Sequence, residues 1–138
     1  MGFINLYNGT VTVGMQNGDL VSMGTNVNPI DGGVLNATLN QQSDSIKLAI
    51  RCDNGYKTVD GSSVKIKATG SNSNKWAFAL DNNGSPGTFT SYGGELTISS
   101  EVIDENYIIW AKARSLDSES PSTDNLTKIN IVATLTVI

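Results

Sequence analysis

The sequence has no histidine and a single cysteine, Cys52. One cysteine excludes an intrachain disulfide framework and a cysteine-only zinc site. With no histidine to activate it, Cys52 lacks the usual partner of a thiol nucleophile. It ends the series Ile46, Leu48, Ile50 and is expected to be a buried, apolar thiol. Charge is also sparse, at 16% of residues with a net charge of −4, so the basic stripe that supplies most nucleic-acid affinity is missing. Lys65 and Lys67 alternate with Val64, Ile66 and Ala68, which is the solvent face of a strand. No nucleic acid is expected as a partner. No window approaches a membrane span, so no membrane partner is expected either. Met1-Gly2-Phe3-Ile4-Asn5 has no basic segment leading into an apolar stretch, so no signal peptide is visible and cytosolic synthesis is the expectation.

What is abundant is asparagine, glycine, serine and threonine, residues that build tight turns because Asn and Gly tolerate positive φ. The 38% of hydrophobic residues separates this composition from that of a disordered chain. At 138 residues, one domain can bury a core without staples. The apolar period is two, which is the period of strands with one buried face. It is clearest in Ile129, Ile131, Ala133, Leu135 and Val137, and recurs over 46–52, 64–68, 76–80 and 96–98. Strands are predicted over 45–52, 63–69, 75–80, 87–91, 94–99, 106–114 and 127–137. Between them lie turn sequences such as Asp53-Asn54-Gly55, Asp60-Gly61, Asp81 to Gly84 and Gly93-Gly94. Residues 101–113 also fit helical offsets, but Ile108-Ile109-Trp110 favours a strand. Seven short strands at this spacing predict an all-β fold, an antiparallel two-sheet sandwich over 45–138.

Residues 1–44 read differently, as a β-rich N-terminal arm or wrapping segment. Phe3 to Tyr7 and Thr10 to Met15 flank Asn8-Gly9, which predicts a hairpin turn, and Asp19 to Met23 offers another short strand. Residues 24–33 are rich in turn formers. Such an arm could add a strand to the edge of another subunit, with Phe3, Leu6, Tyr7, Val11 and Val13 as candidate assembly contacts. On this reading, a chain cut at residue 44 folds as a monomer that no longer assembles.

Side chains that could do chemistry are scattered. Asp81, Glu95, Glu101, Asp104 and Glu105 fall on turns and strand ends, with nothing pointing to the paired carboxylates of a glycosidase. Asp81-Asn82-Asn83-Gly84, and the group Asp117, Glu119 and Asp124, offer oxygens to calcium but lack the pattern of an EF-hand loop. The first of these also reads as a hairpin turn, so no cofactor or metal is expected. Three Asn-x-Thr triplets, at Asn8, Asn36 and Asn125, are expected by chance in this composition. Trp76 alternates with Phe78 and Leu80 and reads as a core anchor. Tyr56, Tyr92 and Trp110 could form a stacking platform for a carbohydrate, or serve as structural aromatics with polar tips at the surface.

Five segments have a further property in common: Ser45 to Tyr56, Lys75 to Asp81, Tyr92-Gly93-Gly94-Glu95-Leu96-Thr97-Ile98, Ile109-Trp110-Ala111-Lys112-Ala113-Arg114, and Glu119-Ser120-Pro121. Together they resemble the Ig-like or fibronectin-type-III-like domains of small structural proteins of tailed bacteriophages and prophages of Gram-positive hosts. The resemblance covers about two-thirds of the chain and leaves the arm unmatched. It implies an Ig-like sandwich, a location in the virion, and a non-enzymatic role as a head-decoration or tail component. The implied partners are capsid or tail proteins and further copies of the chain, giving a homo-oligomer. A carbohydrate- or cell-surface-binding module is the alternative, with a surface glycan as partner.

Overall fold

The computed structural model describes residues 4–21, 45–69, 73–114 and 128–138. Within them the chain is all-β, with antiparallel strands in two facing layers. The first layer is one sheet of six strands. In chain order these are β1 (Ile4–Asn8), β2 (Asp19–Leu20), β3 (Ile46–Cys52), β6 (Trp76–Asn82), β7 (Ser85–Pro86) and β9 (Tyr107–Ala113). Across the sheet the order is β2-β1-β3-β9-β6-β7. The second layer has two short sheets. One is β10-β5-β8, from β5 (Val64–Thr69), β8 (Leu96–Ile98) and β10 (Lys128–Val132). The other pairs β4 (Tyr56–Thr58) with β11 (Leu135–Val137).

The period-two pattern decides which side chains meet between the layers. Leu48, Ile50 and Cys52 of β3, Phe78 of β6, and Ile109 and Ala111 of β9 face Val64, Ile66, Ala68, Leu96 and Ile98 across one core. Each position between them turns outward, as with Lys65 and Lys67 on β5. Burial of this kind is worth about 1.5–3 kcal/mol for each large aliphatic or aromatic side chain, which makes it the main stabilising term. Trp76 packs on the same core, as the alternation predicts. The 101–113 stretch resolves as a strand from Tyr107, preceded by an irregular segment whose Val102 is buried.

Three expectations change. The predicted strand 87–91 is not regular, although it runs beside β6. Gly87, Thr90 and Gly93 donate backbone bonds to Leu80, Phe78 and Trp76, so it advances three residues for every two of β6. Thr90 compensates by accepting the Phe78 N–H on its hydroxyl at 3.2 Å. The predicted strand 127–137 is two strands, because it changes partner from β5 to β4. The run 56–58, which the sequence pattern does not single out, supplies that second partner.

The N-terminal hairpin also differs from the expectation. Thr10 to Met15 is no strand; the partner of β1 is β2, with Tyr7 opposite Leu20. The intervening loop folds back tightly, and Gly18 (φ +107°) is its constrained point. A Cβ there would lie 2.5 Å from Val11 Cγ1. The described part of the expected arm is therefore built into the main sheet. β1 pairs with β3 from Ile4 opposite Cys52 to Tyr7 opposite Ala49. Leu6 (0% exposed) and Val21 (5% exposed) belong to the main core. The rest of the arm, residues 1–3 and 22–44, lies outside the described residues.

Candidate functional site

Three features on the surface of the sandwich could carry function. The first is the polar latch over the outer face of β1 and β3. Arg51 points outward because Ile50 and Cys52 point in, and its guanidinium lies 3.6 Å from the centroid of the Tyr7 ring. Its Nη1 donates to the Asn17 carbonyl at 2.8 Å and to the Asn106 Oδ1 at 2.7 Å. Asn106 is buried, and its amide nitrogen donates to the Thr12 carbonyl and to both oxygens of Asn17. Its backbone closes the clasp, donating to Met15 O and accepting from Gly14 N. Beside the latch, Tyr7, Gln16, Arg51, Cys52, Asp53 and Asn54 line a shallow polar cleft of about 190 Å³. Arg51 Nη1 and both ends of the Asn106 side-chain amide are matched there, so this is a structural clasp.

The second feature lies further along the same outer face. On β9 the outward residues are Ile108, Trp110 and Lys112, continued just past its end by Arg114, and they alternate with the core residues Ile109 and Ala111. Trp110 packs on the small outward cluster of Val11, Ala49 and Ile108. Its indole N–H donates to Asp81 Oδ1 at 2.9 Å. The other carboxylate oxygen of Asp81 accepts the Gly84 N–H of the β6–β7 turn. That turn is a two-residue hairpin with Asn83 (φ 54°) and Gly84 (φ 94°) both left-handed, the type I′ geometry that Asn-Gly favours. The irregular 87–94 segment brings two more rings alongside. Lys112 Nζ stands 4.5 Å from the centroid of Phe89 and 5.6 Å from that of Tyr92. The Arg114 guanidinium stands 4.3 Å over Tyr92, and its Nε donates to Asn74 O at 3.2 Å. Burial raises the Tyr92 phenol above its ordinary range, with Arg114 opposing.

The third feature is the edge formed by the C-terminal strands. Strand β10 ends its sheet, and on its far side no described strand pairs with it. The consequence shows in burial. The inward residues of its neighbour β5, Val64, Ile66 and Ala68, are closed off, whereas Ile129, Ile131, Ala133 and Leu135 are only half-buried against the same core. Val132, Val137 and Ile138 are exposed at 56%, 69% and 65%.

The predicted site residues divide among these places. Of the expected assembly contacts, Leu6 is in the main core, Val11 is buried in the outward cluster, and Tyr7 lies under Arg51. Val13, at 68% exposure, does reach solvent, and Phe3 is outside the described residues. Nor do the three rings of the expected platform converge. Trp110 and Tyr92 belong to the outer face of the six-stranded sheet, while Tyr56 sits in β4 and packs on the main core. The sequence shows that Trp110 shares a face with Lys112 and Arg114; that Phe89 and Tyr92 come to meet them is set by the irregular path of 87–94, which has no period to read.

Cys52 is 1% exposed and sits 3.5 Å from the Val102 carbonyl. Burial, reinforced by the carboxylates of Asp104 and Asp53, pushes its thiol up to about 11, so the thiolate form is suppressed near neutral pH. Asp117, Glu119 and Asp124 lie outside the described residues. Among the described residues no three His, Cys, Asp or Glu side chains are grouped so as to hold a metal ion, and no helix is long and apolar enough to cross a membrane. No family model, no curated protein and no solved structure matches the chain.

Proposed function

We propose that this protein is a non-enzymatic structural component of a tailed bacteriophage or prophage particle. In that role it is a head-decoration or tail protein that associates with its own copies and with capsid or tail proteins in the virion. The observation that carries the reading is the β10–β11 edge, which no further strand covers among the described residues. Its inward row is left half-exposed and three large aliphatic side chains beside it face solvent. An edge of this kind presents unpaired backbone groups and apolar surface to an incoming strand, which is how β-sandwich subunits associate by strand addition.

The strand order supports the Ig-like part of the reading. The run β1-β3-β9-β6 follows the A-B-E-D order of an Ig-type sheet, and β5 pairs with β10 as strand C pairs with F. Two strands depart: β8, which flanks β5 but comes after β6 in the chain, and β11, which follows β10 as G follows F but pairs with β4. In this correspondence the place beside β10 is where strand G would lie, which is the edge left open among the described strands. The attachment surface thereby shifts from the arm residues to the C-terminal edge.

The test is quantitative mass spectrometry on particles purified from an induced culture of the source bacterium. A copy number comparable to a major capsid or tail-tube subunit is expected. Well-formed particles that lack the chain overturn the proposal.

A second reading, a carbohydrate- or cell-surface-binding module, is favoured by one observation. Trp110 and Tyr92 stand on the same outer sheet face, joined there by Phe89.

A further inference from the structure

We infer that the outward face of β9, where Lys112 and Arg114 stand over Phe89 and Tyr92, is a binding surface for an acidic glycan, a sugar chain carrying carboxylate, sulfate or phosphate groups. The inference rests on the surface-binding reading and deepens it by fixing the charge of the ligand and removing Tyr56 from the site.

Two cations define the site. Each lies against an aromatic ring, at 4.5 Å for Lys112 on Phe89 and 4.3 Å for Arg114 on Tyr92, so each has lost water on one side. The ring quadrupole offsets part of that loss without neutralising the charge. Neither forms an ion pair among the described residues, where Lys57 and Glu101 make the one close pair, at 3.5 Å. Arg114 has its Nε committed to Asn74 O, while its terminal Nη groups make no hydrogen bond among the described residues. Those donors form the fork that recognises a planar or tetrahedral anion at two points. Lys112 supplies a point charge on the same side of the sheet.

The rings give the site its second property. Phe89 and Tyr92 hold the cations in place, and Trp110 continues the same row two residues before Lys112. From Trp110 to Arg114 the strand covers about 13 Å, a length suited to a chain rather than a single small anion. Asp81, which fixes the Trp110 indole, sets the limit of the cationic stretch at that end. A bare anion would use the guanidinium and ignore the rings; a neutral sugar would use the rings and leave the cations unmatched. A nucleic acid offers both chemistries, but two cations compare poorly with the six to ten phosphate contacts of a typical binder, and the chain carries −4 overall. An acidic glycan satisfies both halves of the site.

The experiment is titration calorimetry of the full chain with four probes: polygalacturonate, dextran sulfate, neutral dextran and a thymidine oligonucleotide. Each is measured at low and at moderate salt. Binding to at least one acidic polysaccharide is expected, together with a tenfold or greater loss in Lys112→Gln/Arg114→Gln. A comparable loss is expected in Tyr92→Ala, with circular dichroism confirming that each variant is folded. Lys65→Gln/Lys67→Gln, on the opposite layer, should bind like the parent; an equal loss there would mean diffuse attraction and overturn the site. Unchanged affinity in the Lys112/Arg114 variant, or tighter binding to the oligonucleotide, overturns it as well. Binding to neutral dextran alone would overturn the inference and leave the surface-binding reading standing, whereas no binding to any probe would overturn both. The ratio between polygalacturonate and dextran sulfate separates carboxylate from sulfate as the recognised group.

Discussion

Cys52 illustrates how one buried group ties stability to pH. Its side chain is enclosed by the β3–β4 region and the irregular 102–104 segment, and its proton is held until about pH 11 in the folded chain against an ordinary value of 9.0. The unfolded chain gives up that proton first. Stability from the neutral thiol is therefore complete below pH 9 and is lost as pH rises from 9 through 11. Tyrosines and lysines titrate in the same range, so the measurement is a comparison. The denaturation free energy of the parent should exceed that of Cys52→Ala at pH 8, and the gap should narrow between pH 9 and 11. A gap that stays constant over that range would show that the thiol is not the linked group. The sequence disclosed this residue well, because burial of Cys52 follows from its place in the Ile46, Leu48, Ile50 alternation. It did not disclose Asn106. A buried asparagine that holds a loop leaves no periodic trace, and nothing in the local sequence marks it apart from other asparagines in an asparagine-rich chain.

At the scale of elements, the clasp around Asn106 explains why the 9–18 loop is fixed although it has no regular structure. The amide side chain serves three acceptors on the loop and one donor on Arg51. Replacement by leucine removes these contacts, although each loop acceptor keeps one other donor: Met15 N–H on Thr12 O, Arg51 on Asn17 O, and Thr12 N–H on Asn17 Oδ1. A hydrogen bond of this kind contributes about 0.5–1.5 kcal/mol net, and the remaining partners limit the loss, so Asn106→Leu should destabilise the chain by about 2 kcal/mol. Hydrogen exchange should accelerate over residues 9–18 while the amides of β5 and β6 keep their protection. Uniform acceleration across all strands would mean that the loop does not open as a separate unit. The same clasp accounts for what sequence reasoning assigned differently in this region. Val11 and Leu6 look like apolar residues of a poorly supported arm, but Leu6 alternates into the sandwich and Val11 is covered on the outer face beside Ala49 and Ile108. Cutting the chain at residue 44 would thus remove β1, β2 and the buried side chains of Leu6, Val11 and Val21. The regular strands were legible because alternation survives any tertiary context with one buried face. The 87–94 segment and the β10–β11 partner switch were not, since both depend on backbone pairing that has no period.

For the whole molecule, the layered architecture distributes its surfaces unevenly. The outer face of the six-stranded sheet is polar, latched and cationic, whereas the β10–β11 edge is apolar and open among the described strands. Association through that edge makes a distinct demand on substitutions. Val132 and Val137 are 56% and 69% exposed, so changing them removes little buried area from the folded subunit. Surface changes of that sort usually stay within about 0.5 kcal/mol in stability. Lysine on an edge strand opposes pairing with another strand, because the charge must be desolvated as the new ladder forms. Val132→Lys/Val137→Lys should therefore melt close to the parent while its association weakens tenfold or more. Sedimentation velocity over a hundredfold concentration range is the direct reading. The parent is expected to shift to larger species with concentration, and the variant to remain monomeric across the range. A parent that stays monomeric would place the contacts with the particle on a heterologous partner, and particle reconstitution with the same variant would then decide. Assembly of the variant onto particles at parental copy number would remove the edge from the attachment surface altogether. Lys112→Gln/Arg114→Gln supplies the counterpart, since its substitutions lie on the opposite layer and should leave sedimentation unchanged. If the edge variant fails to associate and the face variant associates normally, assembly and ligand recognition use separate sides of one sandwich.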